Sequence, residues 1–192
     1  AQSLGKGLVP VPAHGPRYRG SPSRRFPDAR MNEVHPAIDP VGGVIQLNIS
    51  IVTYAPDLAV LASVLDRLGR ALWHAGRRGL LNGARLILVD NGPGPDWREP
   101  LRHLLGRMQL PVPVELLSGH GNIGYGAGHN LALREVGGDF HLILNPDVLL
   151  EENALSEGLA FLAASPEVGL LAPAAWSENG QRQYLCKRYP TV

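Results

Sequence analysis

Two carboxylates at the ends of apolar runs carry the strongest chemical signal in this sequence. Asp90 closes RLILVD, and Asp147 closes FHLILNPD, where it stands two residues after Asn145. A carboxylate placed where a strand leaves the core is rigidly held yet reaches solvent. A hard cation such as Mg²⁺ or Mn²⁺ takes oxygen ligands, commonly one or two carboxylates plus phosphate oxygens. Such an ion bridges a diphosphate and stabilises it as a leaving group, so Asp147 is the candidate metal ligand. Asp90 suits the N–H of a pyrimidine base or ribose hydroxyls. Plainer roles also fit: Asp147 can cap the turn that follows it, and Asp90-Asn91-Gly92 is an ordinary turn former.

The second signal is GHGNIG, Gly119 to Gly124, which reads as G-x-G-x-x-G. Glycines there bring backbone N–H groups and a helix N-terminus towards a phosphate. The phosphate can belong to a dinucleotide or to a sugar diphosphate. A dinucleotide fingerprint follows the first strand of its fold, opens its helix within the motif, and has an acid about 20 residues later. Here two strand–helix units come first. The loop also runs on through Tyr125-Gly126-Ala127-Gly128, so the helix is expected to begin late. Asp139 lies before the next strand instead of at its end. The match is textual more than structural.

Other residues admit two readings each. Asn122 and Asn130 can touch a ligand, or serve because asparagine tolerates positive φ beside glycines. His120 and His129 flank the loop, but neither forms a ligand spacing with a second His or Cys. Tyr54 can stack on a base or belong to the core. Arg182 and Arg188 suit either a diphosphate or solvent, and Trp176 and Tyr184 either a sugar pocket or packing.

The elements that must hold these residues follow from periodicity. IQLNISIVTY, RLILVD, VPVELLS and FHLILNPD are apolar strands, and VGLLAPAAW is expected to be a fifth. QRQYLCKRY adds a strand after the turn Glu178-Asn179-Gly180. Ala55-Pro56-Asp57 opens a helix in which Leu58, Leu61, Val64, Leu65, Leu68 and Leu72 share one face. DWREPLRHLLGRM, GAGHNLALREV and EENALSEGLAFLAASP are the other helices. Strands that are apolar throughout and alternate with helices imply an α/β, mostly parallel sheet covered on both faces. In such sheets ligands sit beyond the carboxyl ends of the strands. There the polar residues collect: Thr53-Tyr54, Asp90-Asn91, the glycine loop, and Asn145-Pro146-Asp147.

Bulk properties narrow the class. The 192 residues are 44% apolar with a formal net charge of +1, which suits one globular domain and argues against a nucleic-acid binder. The single cysteine, Cys186, excludes a disulfide framework and fits a reducing compartment. No apolar run reaches the roughly 18–20 residues of a membrane span, and no signal-peptide pattern is present. Residues 1–44 are rich in Pro, Gly, Ser and Arg without apolar period. They are expected to form a flexible extension, a solvated tail before a lipid contact, although its arginines can touch anionic headgroups. The domain proper is expected over 45–192.

SIVTYAPDLAVLASVL, LILVDNGP, GNIGYGAGHNLAL and LILNPDVLLEENAL, in this order, resemble the successive blocks of family 2 glycosyltransferases of the GT-A fold, a Rossmann-like architecture. Within that family they look most like the rhamnosyltransferase-like branch that builds bacterial surface polysaccharide, including O-antigen. The resemblance implies inverting transfer from a UDP- or dTDP-sugar, such as dTDP-L-rhamnose, with Mg²⁺ or Mn²⁺. It implies a glycan or lipid-linked saccharide acceptor, and a cytoplasmic site of action at the inner face of the plasma membrane with peripheral membrane association. By position, Thr53 and Tyr54 would line the nucleobase pocket and Asp90 and Asn91 would hold the donor. Asn122, Gly124, Gly128 and Asn130 would shape the loop around it. Asn145 would stand at the first acid of the family's Asp-x-Asp motif and Asp147 at the metal-binding one. Ala55 departs from the pattern, since relatives often carry Asn there. Relatives also continue well past this chain into an acceptor half with the general base. The chain is therefore expected to be a donor-binding half, its catalytic residue unknown. A non-catalytic nucleotide-sugar-binding module and an NAD(P)-dependent oxidoreductase stay open as alternatives.

Overall fold

The structure, a computed structural model, describes residues 45–134, 137–177 and 179–183. The expected extension, 1–44, and the segment 184–192 with Tyr184, Cys186 and Arg188 lie outside the described residues.

Strand β1 (Ile45–Thr53) is buried at every residue except Gln46, as a central strand must be. It pairs in parallel with β2 (Leu81–Asp90) on one side and β4 (Phe140–Leu144) on the other. Strand β3 (Val114–Leu117) adds outside β2, giving the parallel order β3-β2-β1-β4. The α/β, Rossmann-like class expected from the alternation of strands and helices is therefore the one found.

Helices cover both faces. Helix α1 (Leu58–Arg77) follows β1, with Asp57 as its cap: the carboxylate accepts from the N–H groups of Ala59 at 2.8 Å and Val60 at 3.2 Å. Pro56 thus lies ahead of the cap and not in the first turn. Gly79, at φ 71°, ends the element in the left-handed region that glycine tolerates. A single 3₁₀ turn (Pro95–Trp97) leads into α2 (Arg98–Arg107). Pro100 falls in the first turn of α2, where its missing N–H costs nothing. Helix α4 (Ala154–Ala164) follows β4. Leu61, Leu65 and Leu68 of α1, Leu101 and Leu104 of α2, and Leu155 and Leu159 of α4 pack on one face of the sheet against Ile49, Ile51, Leu86 and Leu88.

Among the described residues, the opposite face carries α3 (Tyr125–Arg134) alone. Its apolar contact is small, formed by Val52, Ile87, Val89 and Ala132. Gly128 permits that contact, because a Cβ there would stand 3.0 Å from both methyls of Val52. Polar groups fill the rest of the layer. The Ser50 hydroxyl bonds to His129 Nδ1 and to His141 Nε2, each at 2.7 Å.

Two expectations need correction. The fifth strand does not join the sheet: of VGLLAPAAW only β5 (Ala175–Trp176) is extended, and it pairs antiparallel with β6 (Arg182–Gln183). Pro173 interrupts that segment with a residue that has no N–H to donate. The preceding segment instead closes, with α4 and β4, an apolar cavity of about 320 Å³. Nor does α3 begin late. It starts at Tyr125, directly after Gly124, with Gly128 N–H donating to Gly124 O at 3.0 Å.

Candidate functional site

Strand register decides which tips meet. Thr53 is level with Asp90, Val89 with Leu117, and Ile51 with Leu144. Asp90-Asn91, Thr53-Tyr54, Ser118-Gly119 and Asn145-Asp147 therefore all leave the sheet at one carboxyl edge. With strands about 4.8 Å apart, the backbone at Asp90 and at Asn145 stands roughly 10 Å apart, with β1 between. That gap matches the reach of a base–ribose–diphosphate better than that of a single small ion.

Asn91 joins the β2 tip to the glycine loop. Its side chain is buried, its amide donates to Gly124 O at 3.0 Å, and its Oδ1 faces His120 Nε2 at 3.0 Å. Because Oδ1 only accepts, Nε2 of His120 must carry the proton. The Asn91 backbone N–H donates to Thr53 O at 2.9 Å, adding β1 to the same joint. Asp90 is buried too, and its Oδ1 accepts from Gly92 N–H at 2.8 Å in a tight turn. Asn122 caps the loop in the same manner, its Oδ1 accepting from Gly124 N–H at 3.0 Å. Gly119, Gly121 and Gly124 have φ of 94°, 69° and 86°, so all three glycines of the motif occupy the left-handed region.

Tyr125 is the residue that motif reasoning passed over. It is the first residue of α3, and its hydroxyl donates to Asn145 Oδ1 at 2.5 Å. Burial, and then the negative charge of Asp147, raise its pKa above the ordinary phenol value. Tyr125 therefore links the glycine loop to the Asn-Pro-Asp tip, and Asp147 lies within electrostatic reach. A tyrosine immediately after a glycine motif is a faint signal, and its partner sits 20 residues away.

Not every candidate meets a ligand surface. Thr53 is 1% exposed and donates to Val89 O at 3.3 Å, so it supports the edge from beneath. Tyr54 is 56% exposed beside the edge and is free to stack. Ala55 adopts φ 45°, rare for a residue with a Cβ. Asparagine tolerates that conformation better, which gives the departure at this position a physical meaning. Gly128 packs α3 against β1, whereas Asn130 faces solvent from α3. Trp176 is exposed in the β5–β6 hairpin, not packed in the core, and Arg182 is in the same hairpin.

His129 is buried within the α3 layer instead of flanking an open loop. Both His129 and His141 are pushed below the ordinary imidazole pKa, each chiefly by burial, and His129 further by His141. A single Ser50 proton serves one ring while the hydroxyl accepts from the other, so the two neutral rings hold opposite protonation at their bonded nitrogens. His129 Nε2 and His141 Nδ1 are buried without a partner among the described residues. The edge of the His129 ring meets Tyr125, with centroids 4.4 Å apart.

Among the described residues no three His, Cys, Asp or Glu side chains converge to hold a metal. Asp147 is exposed and accepts no hydrogen bond from a described residue, while Asn145 Oδ1 is engaged by Tyr125. One free carboxylate does not make a cage for a resident ion. It does fit a cation that completes its shell with diphosphate oxygens and water.

No protein-family model and no curated protein sequence matches the chain. Solved structures do. The mannosyltransferase PcManGT from Pyrobaculum calidifontis, in complex with GDP-Man and Mn²⁺, is 17% identical with a TM-score of 0.53, over 65% of this chain and 34% of that one. S. aureus TarS 1–349 is 15% identical with a TM-score of 0.48, over 64% of this chain and 33% of that one. A second S. aureus TarS structure is 18% identical with a TM-score of 0.45, over 64% and 20%. The chain spans about a third or less of the length of these proteins. At this identity the likeness is one of fold, and the fold shared with PcManGT is the parallel α/β sheet described above.

Proposed function

We propose that this chain is the donor-binding part of a glycosyltransferase that acts on a nucleoside-diphosphate sugar. The observation that carries the reading is the convergence, on one sheet edge, of Asp90, the Asn91-anchored glycine loop and the Tyr125–Asn145–Asp147 group. The fold shared with a mannosyltransferase bound to GDP-Man and Mn²⁺ supports it. In this reading Asp90 and Tyr54 receive the nucleoside, and the loop from Gly119 to Gly124 presents backbone N–H groups to the diphosphate. Asp147 carries the ligand for Mg²⁺ or Mn²⁺. Such an ion, when bound, neutralises charge on the departing diphosphate. Thr53, Asn91, Asn122 and Gly128 hold these groups in place from beneath, and Asn130 flanks the loop.

The finer terms belong to the same proposal: inverting transfer, a UDP- or dTDP-sugar such as dTDP-L-rhamnose, and a glycan or lipid-linked acceptor of bacterial polysaccharide assembly at the cytoplasmic face of the membrane. Inversion requires a carboxylate to take the acceptor's proton, and no residue here is assigned that role. A second reading is an NAD(P)-dependent oxidoreductase, favoured by the start of α3 directly after Gly124. Against it, the loop follows the edge strand β3, whereas central β1 ends in Thr53-Tyr54 without a glycine motif.

Calorimetric titration with UDP, dTDP, GDP and NADH, with and without Mn²⁺, tests both. The expected result is Mn²⁺-dependent binding of a nucleoside diphosphate, weakened about tenfold or more by Asp147→Ala. Metal-independent NADH binding overturns the proposal. Donor hydrolysis or transfer by this chain would separate an enzyme from a purely binding module.

A further inference from the structure

We propose that the outward face of α1, together with the C-terminal end of α2, docks on an anionic phospholipid surface. The docking face deepens the membrane-side acceptor of the proposed function, and the vesicle test below reads lipid binding without donor or acceptor, so either can fail alone. Helix α1 buries one side fully and turns Arg67, Arg70, Trp73 and Arg77 outward at helical spacing. Arg107, the last residue of α2, lines the same cleft as Arg70 and Trp73. Trp73 is 55% exposed, with the Arg77 guanidinium 5.0 Å from its ring centroid. It stands as a ridge between two open clefts of about 660 Å³ and 350 Å³. Leu65, Leu110 and Pro111 line the larger one.

The charges on this face are unbalanced. Arg67, Arg77 and Arg107 have no ion-pair partner among the described residues, whereas Arg70 pairs with Asp66 at 3.0 Å. Asp66 and Glu152 are the acids that line the larger cleft. An anionic bilayer rewards each nearby arginine. Tryptophan settles at the headgroup level, because its ring is apolar and its N–H polar. Arginine stems lie along apolar surface while their heads reach phosphate. A nucleic-acid backbone offers phosphate too, but no apolar layer for an indole between two apolar-lined clefts.

Helix α1 runs back antiparallel to β1, so its first turn lies at the carboxyl edge. Arg67 is about 14 Å further along the helix axis, and Arg77 further still. Leu149, two residues past Asp147, shares a cleft with Arg67 and Arg70, so this face reaches to the foot of the Asn-Pro-Asp tip.

The test uses the full chain with vesicles of phosphatidylcholine alone, and of phosphatidylcholine with about one-third phosphatidylglycerol, in co-sedimentation and tryptophan emission. Expected are binding to the anionic vesicles only and a blue shift of emission that Trp73→Phe removes. The triple variant Arg67→Gln, Arg77→Gln, Arg107→Gln is expected to bind roughly a hundredfold more weakly, at about fivefold per arginine. Circular dichroism of each variant shows whether the fold is kept. Arg24→Gln with Arg25→Gln separates this face from residues 1–44, whose arginines can also touch anionic lipid: binding within about twofold of the parent is expected, and a loss as large as the triple variant's overturns the proposal. Equal binding to both vesicles overturns the proposal. So does a triple variant, correctly folded, that binds like the parent, or equal affinity for duplex DNA or RNA at the same salt.

Discussion

Replacing Asn91 by aspartate is the sharpest test of how the glycine loop is held. The substitution keeps size and shape but turns an amide donor into an acceptor. The Asn91 Nδ2 lies 3.0 Å from Gly124 O, in a side chain that is 2% exposed. An oxygen there faces the carbonyl oxygen with no proton between them. The lost hydrogen bond costs about 1 kcal/mol, and a buried carboxylate against a carbonyl about 2 more. Asn91→Ala is milder. It loses two hydrogen bonds at about 1 kcal/mol each. Gly124 O keeps the Gly128 N–H as a donor, and half-buried His120 is within reach of water. The expected order is therefore Asp at about 3 kcal/mol, Ala at about 2, and His120→Ala at about 1. Urea unfolding at pH 8, followed by circular dichroism with unchanged m-values, measures all three. A double-mutant cycle between Asn91→Ala and His120→Ala should give a coupling of about 0.5–1.5 kcal/mol. An aspartate variant as stable as the parent, or more stable than the alanine variant, refutes the joint. The same variants should lose nucleoside-diphosphate affinity in the same order, because the loop they release is the proposed phosphate contact.

Three further outcomes are expected. Gly128→Ala places a methyl 3.0 Å from both Val52 methyls. Its overpacking, less the gain in helix propensity, leaves about 1 kcal/mol of destabilisation. Adding Val52→Ala should recover part of it, in the same unfolding assay. Ala55→Asn relieves a backbone at φ 45° and should stabilise by about 0.5–1 kcal/mol, and a neutral result denies the strain. Burial holds His129 and His141 below the ordinary imidazole pKa of 6.5, so below that pH the unfolded chain binds more protons than the folded one. Stability is thus full above the unfolded value and lost as pH falls through it. Calorimetric melting from pH 8 to pH 5 should show that decline, and His129→Leu with His141→Phe should flatten it.

The legibility of the fold followed from how strongly each element stated its own pattern. Strand β1 and helix α1 have periods and end signals that depend only on nearby residues, and their cores are those expected. The fifth strand failed because VGLLAPAAW is apolar enough for a strand, yet its apolar residues close a cavity with α4 and β4 and only Ala175–Trp176 pair, with β6. The start of α3 failed for a related reason. Gly126 and Gly128 suggested an extended loop, whereas Gly128 is glycine so that the helix can touch Val52. Local composition cannot separate a glycine that bends from a glycine that admits a neighbour.

The candidate site divides along the same line. Asp90, the glycine motif and Asp147 were readable because chemistry-bearing residues at the ends of apolar runs are unusual wherever they occur. The sequence by itself also determined that they share an edge, since alternating strands and helices force a parallel sheet. Only tertiary structure decided what each residue does there. Asn91 reaches Gly124 across 33 positions, Tyr125 reaches Asn145 across 20, and Ser50 gathers two histidines 79 and 91 residues away. Hydrogen bonds of that span have no periodicity to announce them, because their geometry is set by strand order and register, which the whole core must choose together.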